Sequence, residues 1–357
     1  MKKLLVLLLV AVVTILAGQV QAEDYTVGDV LKAMDVITDG RVLDPDENPL
    51  LSHNHFVVTK SSGIPGKDVT EWPGLVYGNT QDKVLKIGVV MTITECVVEL
   101  AGGMGINVLV AHHPLADAAN FGGVALKNYC DLYKLNLIEA HEAFHGRHPG
   151  IALIHGYKVT KADISYAGVP GNVIFMGDPV PEVKTLGDIV ARLDQTMSAA
   201  DRDKFLAMER DYWKNDQIEE SLAANRPIIL LGTPESKVSK VLHIFPHTGF
   251  TAEHLAKAYQ ENPGIDTLIC SISRVKPDHA IVAKARELGL NMLLGNSHAH
   301  EIYENGIPLG KALEQLLPKA EIYLIEQHVT ATPVDKAGND TLQKYGADMA
   351  VILTKKK

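Results

Sequence analysis

Ile106-Asn107-Val108-Leu109-Val110-Ala111-His112-His113-Pro114-Leu115 is the stretch that decides the fold. Its run of branched apolar residues predicts a buried strand. Pro114 cannot extend a central strand, so the chain turns there. Side chains alternate between faces along a strand, but where the end frays into a turn both imidazoles can reach one mouth. In an open α/β sheet, ligands bind at the carboxyl ends of strands. His112 and His113 are therefore a candidate metal site.

Outward from this stretch, Val84 to Met91 predicts a strand, Thr94 opens a helix through Leu100, and Gly102 and Gly103 close it. Val124 to Lys134 has helical spacing and Leu135 to Ala140 predicts a further strand. Strand, helix, strand, helix, strand over residues 84–140 implies a parallel sheet with right-handed crossovers. Upstream, Tyr25 to Ile37 predicts a helix, and residues 41–70 are polar, rich in Pro and Gly, with His53 and His55 among them. Ile151 to Lys158 continues as helix or strand, and the charged segment Leu186 to Asn225 predicts a solvated helical pair.

The first theme then returns. Val238 to Phe245 is a strand, Thr251 caps a helix through Tyr259, Asp266 to Ile272 is a strand, Asp278 to Leu288 a helix and Leu290 to Leu294 a strand. At its end stands Gly295-Asn296-Ser297-His298-Ala299-His300-Glu301. The expected fold class is α/β, in two similar halves with mixed or parallel sheets: residues 23–165 with the His-His-Pro motif and residues 166–357 with the His-x-x-Glu motif. Each half delivers histidines from strand ends.

Composition sets limits. Lys2 and Lys3, the apolar run Leu4 to Ile15 and the small residues Val20 and Ala22 form the pattern of a signal peptide over residues 1–22, too short for a membrane span. The expected mature chain holds 357 − 22 = 335 residues, is exported to the periplasm or secreted, and carries no membrane span. That length suits roughly two domains. A net charge of −9 argues against nucleic acid as a partner. Cys96, Cys130 and Cys270 are too few and too odd for a disulfide framework, and their apolar surroundings predict buried free thiols.

Four groups of potential ligands can be collected: His112 with His113; His141 and His145, with His148 behind; His298, His300 and Glu301; and His279 beside Asp278. His298 and Glu301 are three apart and would share a helix face, as would His141 and His145 at four. Imidazole with carboxylate suits Zn²⁺, Fe, Mn²⁺, Ni²⁺ or Cu²⁺, whereas Ca²⁺ takes oxygen ligands only. His141, His279 and His300 are expected to support the ligands or the fold, since metal-bound imidazoles hand their other nitrogen to a partner.

The string Trp72-Pro73-Gly74-Leu75-Val76-Tyr77-Gly78 resembles the "DN-x-GLQ-x-G" segment of the NIF-three-like dinuclear metal-centre family. Val89 to Pro114 is similar to that family's helix and His-His-Pro signature, Asn136 to His145 to its next strand with His-x-x-x-Asp, and Asn291 to Ile307 to its "GHxATE" stretch. The resemblance runs in order over most of residues 25–330. It implies two α/β domains facing a shared metal cleft, one or two divalent ions, and a homohexameric ring. Its members are labelled a type of GTP cyclohydrolase, a metal-dependent hydrolase or a binding protein. Carried over residue by residue, the implied ligands are His112, His113, His145, His298 and Glu301. Two depart from the pattern: His145 stands where the family has aspartate, and Ser297 where it has histidine, so that His298 substitutes.

Two functions follow as expectations. The first is a metal-dependent hydrolase acting on a nucleotide-like or other phosphorylated small molecule, with Glu301 or His145 as general base. No phosphate-cradling glycine loop of the Walker or Rossmann type accompanies it. The second is a non-enzymatic metal-binding, storage or scaffold protein.

Overall fold

The computed structural model describes residues 25–43, 58–60, 69–71, 73–115, 126–141, 144, 147–169 and 172–354. The proposed signal peptide, His53, His55, Trp72 and His145 lie outside them. Among the described residues no helix is long and apolar enough to cross a membrane.

A short antiparallel hairpin joins β1 (Val58–Lys60) to β2 (Val69–Glu71). The first large sheet holds β3 (Gly74–Tyr77), β4 (Ile87–Val90), β5 (Val108–Ala111) and β6 (Asn136–Glu139). The second holds β7 (Tyr157–Asp163) and β8 (Ile174–Pro179). Next in sequence, β9 (Glu219–Glu220) belongs to a separate ribbon. The second sheet continues with β10 (Ile228–Leu231), β11 (Val241–Ile244), β12 (Thr267–Ile272) and β13 (Asn291–Ser297). Last come β14 (Ile322–Ile325), which returns to the first sheet, and β15 (Thr330–Ala331), which pairs with β9.

The sheet orders are β14-β4-β5-β6-β3 and β10-β13-β12-β11-β8-β7. In the first, β14, β4, β5 and β6 are mutually parallel and β3 is antiparallel. In the second, β11, β12 and β13 are parallel, flanked by antiparallel β10 on one side and β8 on the other, and the edge strand β7 pairs antiparallel with β8. Both halves are thus α/β with mixed sheets, as expected. Sheet membership does not divide at residue 165, however. β7 ends at Asp163 yet pairs into the second sheet, and β14 crosses back to lie beside β4. The chain therefore passes from the first sheet to the second and returns.

The local reasons are ordinary. Val108, Leu109 and Val110 are fully buried in the centre of the first sheet, where parallel strands are covered on both faces. Truncating Leu109 to Ala would cost about 2–5 kcal/mol. The helix Val27–Thr38 starts in a capping box between Thr26 and Asp29, and the helix Glu95–Met104 stops at Gly105, whose φ of +70° closes it. The pair Leu186–Thr196 and Ala199–Trp213 forms as predicted. All three cysteines are free; Cys130 and Cys270 are buried, but Cys96 is exposed. That corrects the expectation for Cys96, which falls on the solvent side of its helix while Val97 and Val98 take the core.

Candidate metal centre

Backbone pairing does not end with β5. The His112 N–H donates to the Val90 carbonyl at 3.0 Å and the His113 N–H to Met91 at 2.8 Å, so both histidines are held on the sheet's rim. Just beyond Pro114, the Leu115 N–H donates to the Glu139 carboxylate at 2.6 Å, which pins the turn to the end of β6. Side chains placed this way are more rigid than side chains on a free loop.

From the other sheet, β13 ends at Ser297 and a single tight turn, His298–His300, follows. Then comes a π-turn, Ile302–Gly306, before the helix Ile307–Leu316. Such wide turns recur at functional sites. Here it sets Asn305 against Glu301, with Asn305 Nδ2 donating to Glu301 Oε1 at 3.2 Å.

The two sheets meet through Glu301. One oxygen, Oε1, lies 3.3 Å from His112 Nε2, and the other, Oε2, lies 2.9 Å from His113 Nε2. Asn305 Nδ2 is also 3.3 Å from His112 Nε2. Burial alone would raise the Glu301 pKa, but His113 and His112 outweigh it and hold the carboxyl well below the usual range. Three residues on, Glu304 has no such compensation. Its burial and the nearby Glu301 push it well above the usual carboxylate range, while it accepts a hydrogen bond from Asn296 Nδ2.

Two sets of ligand atoms converge within 4.8 Å of one another: His112, His113 and His141, and His113, His298 and Glu301. The outer nitrogens have oriented partners. His113 Nδ1 is 2.6 Å from Thr92 Oγ1, and His141 Nδ1 is 3.0 Å from Glu71 Oε2. A carboxylate or hydroxyl behind the far nitrogen is the arrangement that aims Nε2 of a ligating imidazole at an ion.

The donor set fits a first-row transition metal. Two ligands about 2.0–2.1 Å from one ion, at angles of 90–110°, lie roughly 2.8–3.4 Å apart, and the His–Glu301 separations of 2.9 and 3.3 Å fall in that range. Imidazole dominates, which suits Zn²⁺, Fe, Ni²⁺ or Cu²⁺ over Ca²⁺ or Mg²⁺.

The structure brings together His112, His113, His298 and Glu301 from the expected set; His145 lies outside the described residues. His141 joins the cluster as a potential ligand, where it was expected in a supporting place. Its i,i+4 spacing to His145 pointed to a helix face, whereas Glu71 on β2 orients it instead. His148 contacts Asn305 Oδ1 at 3.1 Å. His300 turns inward: its Nδ1 accepts from the Ser297 N–H at 3.3 Å, and burial followed by the nearby Arg274 lowers its pKa to about 4. His279 accepts from the Ile281 N–H and caps its helix.

Sequence reasoning missed His247. It follows β11 in a single turn, Pro246–Thr248, and its ring centroid lies 5.1 Å from that of His298. The strand-end rule that found His112 would have found it, since β11 is the neighbour of β12 in the parallel core. Opposite it, Ile272 has a φ of +65°, a conformation that costs a β-branched residue on the order of 1–3 kcal/mol.

No protein-family model matches the chain, and no curated protein matches it. Among solved structures it is similar to reduced HcgD from Methanocaldococcus jannaschii, at 15% identity over 86% of this chain and 100% of that one, with a TM-score of 0.51. A Bacillus cereus protein related to NIF3 gives 13% identity over 86% and 98% of the two chains, with a TM-score of 0.52. TTHA1606 from Thermus thermophilus gives 15% over 85% and 98%, with a TM-score of 0.50. At such identities the likeness carries the fold. The chain has the NIF3-like fold.

Proposed function

We propose that this chain of NIF3-like fold is an exported protein that binds divalent transition metal in the cleft between its two sheets. The observation that carries the reading is the convergence of His112, His113 and Glu301 at 2.9–3.3 Å, with Thr92 and Glu71 stationed behind His113 and His141. Replacing His112 and His113 by Ala and measuring bound metal by elemental analysis tests it: stoichiometry should fall by at least one ion per chain, and unchanged stoichiometry would refute it. Export is supported by the signal-like residues 1–22 and is checked by N-terminal sequencing of protein from the periplasm.

Hydrolysis of a phosphorylated small molecule is the catalytic form of this proposal. An ion bound there would supply Lewis acidity and a water of lowered pKa. Glu301 is suited to ligation, because a carboxylate held well below its usual range is a weak base at neutral pH. The base of the hydrolytic reading is then His145. A storage or scaffold role uses the same ligands without a base. Turnover of a phosphorylated substrate by the metal-loaded protein, lost with His145→Ala while the ion on His112, His113 and Glu301 is retained, separates the two.

Assembly into a closed homo-oligomeric ring is part of the proposal. It is supported by two helices with unburied apolar faces, Phe205, Met208 and Tyr212 on one and Leu342, Tyr345 and Ile352 on the other. Sedimentation should give a hexamer; a monomer at micromolar concentration would contradict it.

A further inference from the structure

We infer that His247 and His298 hold a second transition-metal ion at the mouth of the cleft, in a site that the tight turn Ser271–Ser273 builds. The inference rests on the reading of the cleft as a metal site and extends it to a residue outside the ligand set drawn from the sequence.

Three observations converge. The first is proximity. The His298 ring lies 5.7 Å from that of His113 and 5.1 Å from that of His247, so a chain of imidazoles runs from the buried ligands to the cleft edge. His247 and His298 are both exposed, as an ion exchanging with solvent requires.

The second is orientation. Ser273 Oγ lies 3.1 Å from His247 Nδ1 and accepts the His247 backbone N–H at 3.0 Å. With its two lone pairs that oxygen can accept both N–H groups, and in the tautomer that uses Nδ1 as donor, Nε2 is the nitrogen free to bind an ion. His298 stands against the same turn, with the Ile272 carbonyl beside its ring. Two imidazoles side by side, with a ring nitrogen held by an oxygen behind it, is how a protein presents lone pairs to one ion.

The third is the turn that carries those oxygens. Ser273 N–H donates to the Ser271 carbonyl across a single residue at 2.7 Å, and that residue, Ile272, sits at φ +65°. Positive φ at a β-branched residue in so tight a turn is rare. It persists here because both flanks are fixed: Ser271 Oγ lies 2.5 Å from buried His243, and Ile272 pairs with Ser297 at the end of β13. The result is a carbonyl beside His298 and a hydroxyl bonded to His247 from adjacent residues. A relaxed strand end alternates its side chains and would not present both.

Because imidazole dominates, the site would take Zn²⁺, Ni²⁺ or Cu²⁺ ahead of Mn²⁺ or Mg²⁺. The test uses the full mature chain stripped with EDTA and titrated calorimetrically with Zn²⁺, with Co²⁺ as a visible-absorption probe of coordination. Wild type should bind in two steps. His247→Ala should weaken the looser step tenfold or more and lower its Co²⁺ absorption, with the tighter step unchanged within twofold. Ser273→Ala, which leaves both imidazoles in place, should weaken the same step to a smaller degree. Superimposable isotherms for wild type and His247→Ala would overturn the inference, as would one ion per wild-type chain or loss of both steps in the variant. A wild type that binds no ion would instead overturn the reading on which this rests.

Discussion

Removing the carboxylate at the centre of the site should destabilise the metal-free protein. Many ligand carboxylates sit among like charges, and replacing them stabilises the apo form. Glu301 is different, because its two oxygens receive His112, His113 and Asn305 within 3.3 Å and its charge is compensated. In Glu301→Gln the amide oxygen can keep the His112 and Asn305 contacts, but the new NH₂ faces His113 Nε2 where an acceptor stood. At least one hydrogen bond to a charged group is lost, about 1.5–3 kcal/mol, or roughly 2–4 °C in Tm for a chain of this size. The pH dependence has a definite sign. A carboxyl whose folded pKa is depressed stabilises the fold above its unfolded value near 4.3, and that stability is lost as pH falls through the folded value. The gap between wild type and Glu301→Gln should therefore persist at neutral pH and close below about pH 4. Thermal denaturation followed by circular dichroism in EDTA, at pH 7 and in an acid series, measures it. A variant that melts at or above wild type at pH 7 would refute the reasoning.

Glu304→Gln should do the opposite. A carboxyl raised by burial costs the fold about 1.4 kcal/mol per pH unit between its unfolded value and its folded one, so the variant should gain on wild type as pH rises from 4 towards 7, in parallel acid-to-neutral melts. Glu71→Gln, which removes the charge behind His141, should weaken the tighter Zn²⁺ step about tenfold by calorimetry. A thiol reagent on the native protein should modify Cys96 quickly and reach Cys130 and Cys270 only on unfolding, since burial also pushes the Cys270 thiol well up.

Much of the fold was legible because its signals are local. The apolar run before His112 announces a strand, Thr94 and Thr251 cap helices where expected, and the strand-helix alternation repeats in both halves. The return of β14 to the first sheet was not legible. Its pairing with β4 links residues more than 230 apart, and no periodicity in either segment encodes the partner. The site divides in the same way. His112, His113, His298 and Glu301 stand at strand ends, where position alone suggests ligands. His141 needed Glu71 from a distant hairpin, and His247 needed the irregular turn at Ile272, neither of which has a sequence spacing.

The most direct test of the metal-cleft account is a Zn²⁺ titration of EDTA-stripped mature protein beside its His112→Ala/His113→Ala variant. The account requires at least one ion per wild-type chain and loss of the tightest step in the variant, with the folded far-ultraviolet spectrum retained. Equal binding by both proteins, or no binding by the wild type, would contradict it.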